Sequence, residues 1–143
     1  MQKVEKSISI KTTPDKVYAY LKDPNRLSEW MASLSEVRNI EGEGVGQTYE
    51  WTYRMLGVPL DGNTTVLEDV ANEHIKTETK GGVVSTWVFD LSSDGDTTTL
   101  TLGIEYTVPV PVLGKLAEKL VISRNRRETE TNLANIKEIL EAG

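Results

Sequence analysis

The stretch Thr48-Tyr49-Glu50-Trp51-Thr52-Tyr53-Arg54-Met55 decides the fold. Tyr49, Trp51, Tyr53 and Met55 fall on one side, and Thr48, Glu50, Thr52 and Arg54 on the other. Alternation with period two marks a strand with one face turned away from water. Gly42, Gly44 and Gly46 precede it in a turn, and Gly57 and Pro59 end it. Upstream, Val37-Arg38-Asn39-Ile40 reads as a neighbouring strand. At the start of the chain Val4, Lys6, Ile8 and Ile10 alternate with Glu5, Ser7, Ser9 and Lys11. Downstream, Leu60 to Val70 reads as a strand whose parity is not legible. Ile75, Thr77 and Thr79 then share a face. After the turn Gly81-Gly82, Val83, Ser85, Trp87, Phe89 and Leu91 share another. Ser92 to Asp96 reads as a hairpin loop. Leu100, Leu102, Ile104, Tyr106 and Val108 form one face of the last strand.

Helices bracket this run of strands. Thr13-Pro14-Asp15 carries the marks of a helix start: a capping residue, proline at the first turn, and an acid at the positive end of the dipole. Val17, Tyr18, Tyr20 and Leu21 give that helix an apolar side. Asp23-Pro24 ends it and opens a second short helix bearing Leu27, Trp30 and Met31. Pro109 and Pro111 stop the sheet, and a helical pattern runs from Val112 to Ala142. Its apolar stripe is bent. Leu113, Leu116, Ala117 and Leu120 mark one face, and Leu133, Ile136 and Leu140 another, about half a turn away. Ser123 to Asn132, between them, contains no aliphatic residue. The expectation is a helix bent across the sheet, or two helices with a break.

Composition bounds the function. With 143 residues the expectation is one domain over residues 1–143. No cysteine is present, which excludes disulfides, a thiol nucleophile and thiolate-bound metals. A net charge of −6 argues against a general nucleic-acid binder. No apolar run approaches the roughly 20 residues of a membrane span, and no signal-like segment leads the chain. Integral membrane association is therefore not expected, and the cytoplasm is the default location. The composition sets no oligomeric state. Eight of the nine aromatic residues are Trp or Tyr, which join an apolar body to a hydrogen-bonding tip. If the strand faces all turn one way, Tyr49, Trp51, Tyr53, Trp87, Phe89 and Tyr106 share one interior, either a packed core or a pocket.

Element order gives an α+β chain in which a long C-terminal helix covers a curved antiparallel sheet of about six or seven strands. Here the sequence resembles the START-like, or SRPBCC helix-grip, superfamily, and within it the polyketide cyclase/dehydrase group. Thr13-Pro14-Asp15-Lys16-Val17-Tyr18-Ala19-Tyr20-Leu21-Lys22-Asp23-Pro24 with Trp30 carries the resemblance. So do Gly46-Gln47-Thr48-Tyr49-Glu50-Trp51, Thr99-Leu100-Thr101 through Glu105-Tyr106, and Asn132 to Glu141. The resemblance implies a cavity between sheet and helix for a small hydrophobic or aromatic molecule such as a lipid or polyketide. It also leaves open a cyclase or dehydratase, or a chaperone-assisting interaction module that would have no sizeable cavity. It tips the aromatic interior from core to pocket. Trp51, Trp87 and Phe89 would be walls, and Tyr49, Tyr53 and Tyr106 would orient polar groups.

Other constellations read as structural. Of Arg124, Arg126 and Arg127, at most two can face the sheet. Arg127 is the candidate for the inward position, where a guanidinium would bind an anionic group. Otherwise Arg124–Glu128 and Arg126–Glu130 form exposed i,i+4 pairs. The single histidine, His74, falls on the strand face opposite Ile75, Thr77 and Thr79. One histidine supports no His-based metal site, so no metal or cofactor is expected. Gly42-Glu43-Gly44-Val45-Gly46 is a turn whose acids would repel phosphate. Asp61, Glu68 and Asp69 lie on the strand of unknown parity, where one could face inward. Val112 to Ile122 with Lys115 and Lys119 has the makings of a membrane-surface helix, although packing on the sheet is the expected use.

Overall fold

The computed structural model describes residues 1–143. Each alternating run becomes a strand: β1 (Gln2–Ile10), β2 (Leu34–Glu41), β3 (Thr48–Met55), β4 (Val58–Val70), β5 (His74–Gly81), β6 (Val84–Asp94) and β7 (Thr97–Thr107). They form one antiparallel sheet in the order β1-β7-β6-β5-β4-β3-β2. Antiparallel neighbours need only short turns, so the meander from β2 to β7 follows from the turn residues between strands. β2, at one edge, pairs with β3 through two register shifts, and Asn39 within it has φ +53°.

Buried positions keep period two from strand to strand. Tyr49, Trp51 and Met55 on β3 face the same interior as Leu60, Thr64 and Val66 on β4. Ile75 and Thr77 on β5, Ser85 and Phe89 on β6, and Leu100, Leu102, Ile104 and Tyr106 on β7 complete that face. The parity of β4, illegible in the sequence, has a cause. A register shift between Val66 and Glu68 inserts one residue. Beyond it, odd-numbered Asp69 faces the interior.

The strand-to-strand crossing from β1 to β2 is helical, as the Thr13-Pro14-Asp15 start predicts. It comprises α1 (Pro14–Leu21), a 3-10 turn (Pro24–Arg26) and α2 (Leu27–Trp30). Val17, Tyr20, Leu21, Leu27 and Trp30 are its buried hydrophobic residues. Asp23 caps the 3-10 turn by accepting from the Asn25 amide at 3.0 Å.

The C-terminal helix corrects the bent stripe. The chain breaks at Gly114, whose φ of +89° suits glycine. That leaves a short α3 (Val110–Leu113) apart from the long α4 (Glu118–Ala142). Leu116 is fully exposed and Leu120 is 51% exposed, so the first apparent stripe does not form a buried face, although Leu113 packs against the core. Val121, Thr129, Asn132, Leu133 and Ile136 are the buried positions of α4. They form one straight stripe with polar residues at its middle, which an apolar pattern cannot reveal.

Polar clamps fix the second half of α4. Lys137 Nζ donates to Ser9 O at 2.8 Å, and the Lys11 amide donates to Glu141 at 2.8 Å. Asn135 Nδ2 donates to Trp30 O at 3.1 Å, while Asn132 Oδ1 accepts from the Ala32 amide at 3.3 Å. Lys6 pairs with Glu130 at 3.0 Å. Helix and sheet are thus locked at the β1 edge and at α2.

Trp51 is seated by a close approach. Its Nε1 donates to Thr64 Oγ1 at 2.9 Å, and its ring lies where a side chain on Gly62 would stand. A Cβ there would sit 2.5 Å from Trp51 Cη2 and 2.6 Å from Lys80 O. Gly62→Ala is therefore expected to destabilise the fold by about 1–3 kcal/mol, read as a lower urea midpoint at unchanged slope.

Candidate functional site

Because α4 is clamped over β1, it does not fill the concave face of β3 to β6. A cavity of about 500 Å³ remains there. Strands β3 to β7 form its floor, α1, α2 and the turn between them its roof, and the Gly42–Gly44 turn part of its rim. The long helix contributes Asn125 alone among the lining residues.

Tyr49, Trp51, Tyr53, Trp87, Phe89 and Tyr106 all line this cavity. Trp30 joins them from α2. It meets Phe89 edge-on at 6.2 Å and 87°, and Trp87 at 6.5 Å and 59°. Trp51 and Tyr53 form a second edge-to-face pair at 6.4 Å and 77°. These tilted contacts fix the rings against one another. Arg127 does not join them. It is exposed on α4, two residues and so about 200° of helix turn beyond the inward Asn125. The anticipated i,i+4 pairs are also replaced. Glu128 accepts from Tyr53, and Glu130 from Lys6.

Polar groups on the wall are mostly held by the protein. Tyr53 donates to Glu128 Oε1 at 2.7 Å. Burial, reinforced by that carboxylate, raises the Tyr53 phenol far above its ordinary value. Trp87 Nε1 donates to Ser85 Oγ at 3.1 Å, which in turn shares a 2.5 Å bond with Thr79 Oγ1. At the rim, Tyr18 of α1 donates to Asp69 of β4. Burial and that carboxylate push the Tyr18 phenol up to about 12. Burial takes Tyr49 to about 12, and it raises Tyr106 as well. All these phenols are protonated at neutral pH, so they donate hydrogen bonds and do not act as bases. Two buried polar atoms on lining residues, Trp30 Nε1 and Asn125 Oδ1, have no partner.

Of the three acids that could face inward from β4, it is Asp69 that reaches the rim, beside Tyr18, through a bulge that no residue type announces. Asn125 and Trp30 are not among the expected site residues. Asn125 has a usable signal, since Val121, Asn125 and Thr129 repeat at i, i+4, i+8 around the stretch without aliphatics. His74 takes its expected place outside the cavity. Its Nδ1 lies 2.5 Å from Asp90 and its Nε2 2.7 Å from Glu68, with Lys76 4.0 Å from Glu68.

Two measurements check this geometry. Tyr53→Phe leaves Glu128 without its donor and is expected to cost about 2 kcal/mol in urea unfolding. Hydrogen bonds donated by the His74 ring to the Asp90 and Glu68 carboxylates raise its pKa above the ordinary 6.5. The stabilisation is therefore full below about pH 6.5 and lost as pH rises through the folded value. His74→Gln should be less stable than the parent at about pH 6 and equal to it near pH 9.

Comparison with known proteins agrees with this architecture. The solved structure of TTHA0849 from Thermus thermophilus superposes with a TM-score of 0.85 at 19% identity, covering 99% of this chain and 98% of that one. The Zhui aromatase/cyclase from Streptomyces sp. R1128 gives 0.78 at 16% identity, over 98% and 93%. The Aha1 dimer from Colwellia psychrerythraea gives 0.66 at 20%, over 99% and 97%. At these identities the likeness establishes the helix-grip fold. No curated protein matches the chain in sequence. No helix is long and apolar enough to cross a membrane. A family model described as polyketide cyclase/dehydrase and lipid transport matches residues 1–141, and the chain belongs to that family.

Proposed function

We propose that the protein binds a small, mainly apolar or aromatic molecule in the cavity between the sheet and the α1–α2 crossing, and not, as expected, between the sheet and the long C-terminal helix. One observation carries this reading. About 500 Å³ of hollow is walled by Phe89 and all three tryptophans of the chain. That volume falls in the range of roughly 300–1,000 Å³ typical of small-molecule sites. A fold selected only for stability would fill such a space, because lining atoms facing a void lose their packing partners. Trp51, Trp87 and Phe89 supply flat apolar contact. Tyr49 and Tyr106, whose hydroxyls do not donate to a carboxylate as those of Tyr18 and Tyr53 do, orient polar groups of the guest. Arg127 has no part in this reading. The size of the cavity also speaks against the interaction-module alternative, which expects none.

A second reading, a cyclase or dehydratase acting on a polyketide-like chain, draws on Asp69, a carboxylate on the cavity wall hydrogen-bonded to a phenol. The base would be that carboxylate, since the phenols stay protonated and can act only as donors. Loss of turnover in Asp69→Asn with ligand affinity retained would favour catalysis over simple carriage.

The tryptophans provide the assay. Titration with polycyclic aromatic compounds and medium-chain fatty acids should shift or quench their fluorescence. Filling the floor with Thr77→Phe should weaken binding at least about tenfold, with an unchanged far-UV circular dichroism spectrum. No saturable response from any compound, or a response that survives Thr77→Phe undiminished, would overturn the proposal.

A further inference from the structure

The segment from Pro109 to Arg127 is unlike the rest of the molecule in both charge and exposure. It carries Lys115, Lys119, Arg124, Arg126 and Arg127 against Glu118 alone, in a chain whose net charge is −6. All five cations are exposed. None of them belongs to the protein's ion pairs, which use Lys3, Lys6, Arg26, Arg38, His74, Lys76, Lys80 and Lys137. Interleaved with them stand Val112, Leu116 and Leu120, exposed by 58, 100 and 51%. An aliphatic side chain in open water is common singly. Three in a short stretch, flanked by unpaired lysines, need a different account.

We propose that this segment docks the protein on the surface of an anionic lipid bilayer. The apolar residues would enter the boundary between headgroups and acyl chains, and the lysines and arginines would lie at the level of the lipid phosphates and carboxylates. Charge complementarity selects this occupant over a second copy of the chain. Two such segments would bring ten cations together, whereas an anionic surface attracts them. The acidic remainder of the molecule is repelled by the same surface, so one end is turned toward it. Gly114 lets the contact form without disturbing the core, because it separates α3 from α4 and leaves Leu116 outside the packing. The proposal concerns the exterior and holds whether or not the cavity binds a guest.

Sedimentation with vesicles tests it. The protein should pellet with phosphatidylcholine vesicles containing about 30% phosphatidylserine, remain in solution with pure phosphatidylcholine, and be released by salt. Lys115→Gln/Lys119→Gln should weaken the association about 25-fold. Leu116→Asp should weaken it at least about tenfold. Neither change touches the core, and circular dichroism of the variants checks that they fold. Absence of pelleting with the anionic vesicles would overturn the proposal. So would binding by Leu116→Asp at the parent's strength, which would place the contact elsewhere. A dimer in analytical ultracentrifugation that Leu116→Asp dissolves would assign the patch to a second copy and overturn the lipid reading.

Discussion

The clamp between the second half of α4 and the β1 edge is the constraint on which the rest depends. Lys137, Glu141, Asn132 and Asn135 hold the helix to backbone groups of β1, α2 and the chain beside them. Bonds to backbone atoms fix position more firmly than bonds between mobile side chains. With the helix held along β1, Leu133 and Ile136 join the core, and the helix cannot settle deeper over β3 to β6. The hollow is thus a consequence of where the helix is anchored. The hydrophobic effect, acting alone, would collapse it.

The hollow persists because its walls are braced laterally. Trp30, Trp87 and Phe89 contact one another at tilted angles, and Trp51 leans on Tyr53 while hydrogen-bonding Thr64. Ser85, Thr79 and the Trp87 indole satisfy one another in a short chain of bonds. Each side chain therefore has a partner beside it and does not need one across the cavity. The phenols, kept protonated by burial, add donors to the wall but no charge.

Much of this is legible in the residues. Tyr49-Glu50-Trp51-Thr52-Tyr53 names its own inward face, and Thr13-Pro14-Asp15 names a helix start. Six aromatics on three strands meet in one interior because the alternation is preserved across each turn. What the residues hide has two physical origins. A bulge leaves no compositional trace, so the sequence offers Asp61, Glu68 and Asp69 as acids that could face inward without choosing Asp69. Thr129 and Asn132 are buried although polar, Thr129 bonded back to Asn125 O and Asn132 to the distant Ala32 amide, so an apolar count misses part of the helix's inner face. Leu116 and Leu120 resemble core because their spacing is helical, yet spacing says which residues share a side and not what that side meets. The inward position expected for Arg127 fails for the same reason, since it is referred to that stripe.

The edge strand β2 has a consequence of another kind. A strand with unpaired amides and carbonyls along one side is a template for a further chain, and repeated addition is the route to aggregates. Here the template is spoiled. Two register shifts interrupt it, Asn39 turns its backbone into the left-handed region, and Glu36, Arg38 and Glu41 punctuate it with charge. The irregular pairing that makes β2 a weak strand also lets a seven-stranded sheet stay open at that margin without recruiting its neighbours.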